Sequence, residues 1–241
     1  MKSWQIAAAI TAVTLAVGGA YLYTVWRHRQ QPVATDPAAE LSRVERLDRV
    51  AAVRLLYPTG FSDLKPLEGT SVWMKNGYTM SYYPFASGQV NFARKAGLIP
   101  SAARLDIKKF LRVSVPLSVH DGMEPAGPQA FAIFSFARDS AVYATPVGTM
   151  SHGAEAYYAD ILFYYNDPHK IYDHWSTAVW QAIDAHQPQP GMTELEVRMA
   201  IGSKSQFDSN DQGNRTVTYD QAGKLWTITF RNNQATAIQR K

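Results

Sequence analysis

The 241-residue sequence contains no cysteine. That absence excludes disulfides, thiolate metal sites, thiol nucleophiles and a lipid-modified N-terminal cysteine. It selects no compartment, because a chain of this size can fold on its core alone. Charge is sparse as well: 18% of residues are charged, the net is +4, and the 24 Lys and Arg are spread along the chain without a block. A nucleic-acid footprint needs clustered cations, so nucleic acid is not an expected partner. A basic surface beside anionic lipid headgroups accounts for the excess equally well. Neither G-x-x-x-x-G-K-[ST] nor G-x-G-x-x-G after a strand occurs, which removes the common phosphate-cradling loops. No internal repeat of about 20–50 residues is visible.

Hydrophobic and aromatic residues are plentiful, at 46% and 12%, with thirteen Tyr and six Trp. Such a composition supplies cores, favours half-buried pleated surfaces and argues against disorder.

Trp4 to Trp26 carries no charged residue. At about 1.5 Å per residue this run would reach roughly 34 Å, enough for a hydrocarbon core near 30 Å. Trp4 at one end and Tyr21, Tyr23 and Trp26 at the other are placed as an interfacial aromatic belt, and Arg27 and Arg29 close the run. His28 between them could ligate a haem or pigment; interfacial anchoring is the simpler reading. Gly18, Gly19 and Ala20 offer a small-residue surface for packing against another helix. The expectation is an anchor over residues 1–29 that crosses the inner (cytoplasmic) membrane once. A signal peptide cut near Gly18-Gly19-Ala20 is the alternative. Arg27, Arg29, Arg43 and Arg46 favour a cytoplasmic C-terminal part. Lys2 on a short N-tail also permits a signal anchor, and the expectation adopted is a soluble part in the periplasm.

Residues 30–58 read as a linker and an amphipathic helix. Asp36-Pro37 is a helix start, and Leu41, Val44, Leu47, Ala51 and Leu55 recur at helical steps. The helix either packs on the domain or docks near the membrane through Arg43, Arg46, Arg49 and Arg54. Residues 59–168 read as a β-rich domain. Thr70–Lys75 and Tyr78–Phe85 flank Asn76-Gly77, a strong hairpin signal. Ile107–Leu117, Gln129–Ala137, Ala141–Val147 and Ala156–Tyr165 are further strand candidates. Residues 169–241 read as a helical segment and a small α+β module. A helix begins at Asn166-Asp167-Pro168, carries the stripe Ile171, Trp175, Ala178, Val179, Ala182 and Ile183, and stops before Pro188 and Pro190. A second helix opens on Thr193, with Glu196 at capping-box spacing, and ends at Gly202. Strands follow at Arg215–Tyr219, Leu225–Arg231 and Ala235–Gln239. The expected fold class is α+β: one N-terminal transmembrane helix, an antiparallel β-rich domain, and a small C-terminal module of a helix on a three-stranded antiparallel sheet.

Catalytic patterns are weak. Gly148-Thr149-Met150-Ser151-His152-Gly153 sets Ser beside His and Gly, but a nucleophile elbow needs G-x-S-x-G. His169 and Asp173 could share a helix face, with His174 rotated away, and zinc takes three or four protein ligands. Asp160 and Asp106 are possible paired carboxylates, although alternation puts Asp160 on an outer face. The Tyr/Trp-rich strands could form a sugar- or peptide-binding surface, but they serve more simply as core. No catalytic residue, cofactor-binding residue or metal ligand is assigned, and no cofactor is expected.

The C-terminal residues carry a resemblance. Gly191-Met192-Thr193, Val197, Gly202, Thr218-Tyr219, Leu225, Ile228-Thr229-Phe230 and Asn233 are arranged in a way that resembles the SmpA/OmlA (BamE-like) family of small envelope domains. The likeness covers about a fifth of the chain and rests on structural positions: a cap, a helix-ending glycine and core residues. It implies a periplasmic binding subunit of the kind found in outer-membrane assembly machinery. The sequence departs from the family in lacking the lipidated cysteine and in carrying about 100 further residues that the likeness does not explain.

The expected function is a non-enzymatic, membrane-anchored protein-binding or accessory subunit of a bacterial-type membrane assembly, with other membrane or envelope proteins and the lipid bilayer as partners. One specific version is an accessory subunit of a respiratory or photosynthetic inner-membrane complex. The competing reading is an envelope hydrolase or ligand-binding enzyme, which would need a deep pocket with convergent Asp, His or Ser. A cytoplasmic transcription or signalling anchor lacks any DNA-reading motif.

Overall fold

The structure, a computed structural model, describes residues 18–24, 27, 53–119, 126–137, 139–151, 154–202, 204–221 and 223–241. The chain divides into two compact units, Met1–Arg46 and Leu47–Lys241.

In the first unit, residues 18–24 are helical and exposed, and the Thr24 hydroxyl donates to the Tyr21 carbonyl. Among the described residues no helix is long and apolar enough to cross a membrane. This overturns the expected single-pass transmembrane anchor. Residues 18–24 read Gly-Gly-Ala-Tyr-Leu-Tyr-Thr. Leu22 is their one large aliphatic side chain. Gly18, Gly19, Ala20, Tyr21, Tyr23 and Arg27 all belong to exposed helical positions. Trp4, Trp26 and Arg29 lie outside the described residues, as does most of the helix expected from Asp36-Pro37. The described end of that expected helix, from Val53, is not helical.

The second unit is mostly β, which corrects the α+β expectation. After a 3₁₀ helix (Phe61–Leu67) come β1 (Ser71–Met74), β2 (Ser81–Ala86), β3 (Gln89–Val90), β4 (Gly97–Leu98), β5 (Arg104–Val115), β6 (Gly127–Phe136), β7 (Tyr143–Ser151) and β8 (Ala154–Tyr157). A helical turn, α1 (Ala159–Leu162), leads to β9 (Phe163–Tyr164). These strands form a nine-stranded antiparallel sheet ordered β3-β2-β7-β6-β5-β1-β9, with β4 on β2 and β8 on β7. Strand β6 is the centre. Ala130, Ala132 and Phe134 face a core with Val72, Leu105 and Leu162, while Phe131 and Ile133 face another with Tyr83, Val115 and Ala144. Coverage on both faces buries this strand along most of its length.

Three local expectations fail for tertiary reasons. Asn76-Gly77 turns the chain, with Gly77 at φ +99°, but β1 and β2 do not pair. Both edges of β1 are taken by β5 and β9, through Trp73↔Arg104 and Trp73↔Tyr164. The expected strand Ala156–Tyr165 breaks into β8, α1 and β9, because Asp160 turns inward to collect hydrogen bonds from residues 56 and 57. The single helix expected after Pro168 is two, α2 (Pro168–Ile171) and α3 (Thr177–Asp184). The Ser176 hydroxyl accepts from the Val179 amide and starts α3 anew.

The C-terminal elements are α4 (Glu194–Ile201) and the strands β10 (Lys204–Phe207), β11 (Thr216–Gln221), β12 (Lys224–Arg231) and β13 (Gln234–Arg240). The sheet is four-stranded rather than three-stranded, because β10 pairs with β11. The expected capping box is present: the Thr193 hydroxyl accepts from the Glu196 amide at 3.2 Å, and Glu196 Oε2 accepts from the Thr193 amide at 2.7 Å. Val197 and Ile201 pack on Val217, Ile228 and Phe230. Trp73 and Tyr164 join the same core from the large sheet, so the two sheets meet along β1 and β9.

Candidate functional site

The boundary along β1 leaves a groove. Its widest part, about 830 Å³, lies between Ser71 and Trp73 of β1, Arg104 at the start of β5, and Lys170 and Ile171 of α2. A second concavity of about 350 Å³ shares Trp73, Arg104 and Asp167 and is walled by Ser101, His169, Asp184 and His186. A third, about 100 Å³, shares Ser101 and His186 and ends at Asp220 and Gln221. The three concavities adjoin along the seam between the sheets, each sharing wall residues with the next.

Local chemistry fixes most of its polar groups. Arg104 Nε donates to Asp106 Oδ1 at 3.0 Å, Nη2 donates to Ser71 Oγ at 3.0 Å, and the Ser71 hydroxyl donates to Asp106 Oδ1 at 2.7 Å. The guanidinium is half-exposed and held with its Nη1 uncommitted among the described residues. Asp167 caps α2: its Oδ1 accepts from the His169 amide at 3.0 Å and lies 2.9 Å from His169 Nδ1. A carboxylate accepts, so Nδ1 carries a proton, and in the neutral ring Nε2 is the acceptor. The imidazole stacks on Trp180 with centroids 3.9 Å apart. Its Nε2 lies 3.9 Å from Asp184 Oδ1, beyond hydrogen-bond reach. Tyr165, on the wall of the widest part, donates to Asp160 at 2.7 Å. Burial and that carboxylate push its phenol far above the usual tyrosine range, so it acts as a neutral donor.

An Asp–His pair is half of a hydrolytic constellation, and the other half is not assembled. Ser71 is bonded to Asp106, and Ser101 makes no hydrogen bond to a described residue. Among the described residues neither serine is thus bonded to an imidazole, whereas nucleophile activation needs a base within hydrogen-bond reach.

The sequence candidates are scattered. Asp106 is bonded to Ser71 and Arg104 of the groove wall, but Asp160 is spent on residues 56 and 57. His169 turns to Asp167 and Trp180, while Asp173 is largely exposed and 3.9 Å from His174 Nδ1. No cluster of three metal-ligating side chains occurs among the described residues. Ser151 ends β7 opposite Ala154, and His152 lies outside the described residues. Sequence reasoning passed over Trp73, Ser101, Arg104, Lys170 and His186. They come from separate segments, so no spacing links them. Comparison with protein-family models, with curated proteins and with solved structures finds no match to this chain.

Proposed function

We propose that this protein is a non-enzymatic binding subunit that receives an extended segment of another polypeptide in the groove between its two sheets. One observation carries the reading: adjoining concavities along the seam, walled by Arg104, Lys170 and Ser101 and by Trp73 and Ile171, in which no nucleophile meets a base among the described residues. Extended segments bind through peptide hydrogen bonds and successive side-chain pockets, which a row of adjoining concavities can provide. The resemblance of the last residues to SmpA/OmlA (BamE-like) domains supports the same class of role, an accessory subunit of a larger envelope assembly.

The test is a photo-crosslinking amino acid placed at Asn166, on the groove wall, with Leu117, 84% exposed and not on that wall, as control. The expected result is one polypeptide adduct from Asn166, none from Leu117, and co-purification of that polypeptide in stoichiometric amount. Lys170→Glu, which reverses a groove charge, should weaken it. A chain that purifies alone and crosslinks to nothing at Asn166, or crosslinks equally at both positions, overturns the proposal.

A further inference from the structure

Ser101 and His186 both line the two smaller concavities, at the narrow end of the groove. Ser101 is only 7% exposed, yet its hydroxyl makes no hydrogen bond to a described residue. Buried hydroxyls ordinarily find a partner, and one without it calls for an explanation.

His186 is unusual in a second, independent way. It follows the last turn of α3, where its amide donates to the Ile183 carbonyl at 2.9 Å and the Gln187 amide to the Ala182 carbonyl at 3.0 Å. This is the Schellman closure, whose left-handed position belongs to glycine by preference. Here histidine takes it, at φ +53°. Non-glycine residues held there cluster at functional positions. The imidazole is also oriented: Nδ1 lies 2.9 Å from the Ala200 carbonyl. A carbonyl only accepts, so Nδ1 carries the proton and Nε2 of the neutral ring presents a lone pair.

We infer that Ser101 and His186 form a subsite for a neutral amide group of the polypeptide that enters the groove, an inference that rests on the function proposed above. An amide offers an N–H to the His186 Nε2 lone pair and a carbonyl to the Ser101 hydroxyl. A carboxylate would set its charge against that lone pair, and an ammonium would leave the Ser101 proton unused. The innermost concavity, about 100 Å³, admits a group the size of one side chain rather than a nucleoside. The amide can come from a main-chain peptide unit or from an Asn or Gln side chain.

The full chain, labelled with ¹⁵N-histidine, is titrated with N-methylacetamide, acetamide, acetate and methylammonium while the His186 Nε2 resonance is followed. The two amides should shift it in a saturable way; the stronger response to N-methylacetamide or to acetamide assigns the main-chain or the side-chain source. Acetate and methylammonium should leave it in place. Ser101→Ala should weaken amide binding about fivefold, the worth of one neutral hydrogen bond. That variant leaves no polar partner stranded, so the fold is expected to hold, and Ser101→Cys, a poor donor of similar size, is the second variant. No amide response, an equal response to acetate, or undiminished binding in both variants overturns the inference. If the Asn166 adduct persists while the amide response is absent, the subsite falls and the groove stands; an amide response without any adduct has the opposite meaning.

Discussion

Asp160 holds the backbone amides of Leu56 and Tyr57 on its two carboxylate oxygens, at 2.9 and 2.7 Å. The residues are separated by a hundred positions, so this one carboxylate straps the start of the second unit to the end of the large sheet. Tyr57 sits at φ +51°, a conformation that bulky residues adopt only under external constraint. Lys75 completes the arrangement by donating to the Asp160 carbonyl and lying over the Tyr164 ring.

Burial raises the Asp160 pKa, but the Leu56 amide, the Tyr165 hydroxyl, the Tyr57 amide and the Lys75 charge together outweigh it and hold the carboxyl below the ordinary aspartate value. A depressed folded value means that the charged form is the stabilising one. Its contribution is complete above the unfolded value and is lost as pH falls through the folded value. The chain should therefore begin to lose stability below about pH 4. Asp160→Asn keeps only one acceptor and should cost about 1 kcal/mol at neutral pH, while flattening the acid limb. Urea unfolding at a series of pH values measures both, and an unchanged acid limb in the variant would sink the assignment.

Gly148 lies in β7 against β8, without a left-handed φ. A Cβ there would come within 2.7 Å of the Ala156 carbonyl oxygen and 2.8 Å of the Tyr157 ring. Backbone cannot retreat as a flexible side chain can. Gly148→Ala should cost about 1–3 kcal/mol and loosen the β7–β8 pairing. Thermal unfolding and amide exchange at Thr149 and Ala156 report the two effects; a variant as stable as the parent would show that the hairpin yields freely.

Local signals were legible in the sequence, and edge assignments were not. The Thr193–Glu196 box depends on residues three positions apart, and it formed as read. The strand around Phe131 was readable as a strand, but it reads as alternating, and its burial on both faces appears only in the fold. Asn76-Gly77 misled because turn chemistry bends the chain without choosing which strand comes alongside. That choice belonged to β5 and β9, whose pairing partners Arg104 and Tyr164 lie far along the sequence. β10 was missed because Lys-Ser-Gln-Phe has no apolar alternation. The groove was illegible for the same reason as the pairing of β1: Trp73, Ser101, Arg104, Lys170 and His186 acquire common meaning only after the sheets close.

The tyrosines give the alkaline counterpart of the Asp160 prediction. Burial pushes Tyr164, Tyr165 and Tyr219 far up, and burial together with the Glu155 carboxylate pushes Tyr157 to about 12. A raised folded value stabilises below the unfolded pKa, and that stability disappears as pH rises through the folded value. Unfolding free energy should thus fall above about pH 10. Phenolate absorbance should show these four rings ionising only with loss of structure or above the ordinary tyrosine range. Full, reversible ionisation of every tyrosine near pH 10 would contradict the packing described.

Glu194 and Arg215 supply the largest single-residue effect. They are 1% and 5% exposed, and they form a bidentate pair in which Arg215 Nε donates to Glu194 Oε2 at 3.0 Å and Nη2 donates to Oε1. The Gly213 amide also donates to Oε2, the Glu194 amide donates to Asn233 Oδ1, and Arg215 Nη1 donates to the Ser209 carbonyl. The pair therefore ties the first turn of α4 to the loop before β11 and the turn before β13. Removing one charge strands the other in a dry site, so Glu194→Gln and Arg215→Met should each cost about 3–5 kcal/mol. The double variant Glu194→Leu/Arg215→Met strands neither charge and should cost less than the sum of the single changes, a coupling that a double-mutant cycle isolates. Urea unfolding at fixed pH and salt provides the four free energies. Additive losses, or single variants within about 1 kcal/mol of the parent, would show that water reaches the pair and that the module is held by its apolar core alone.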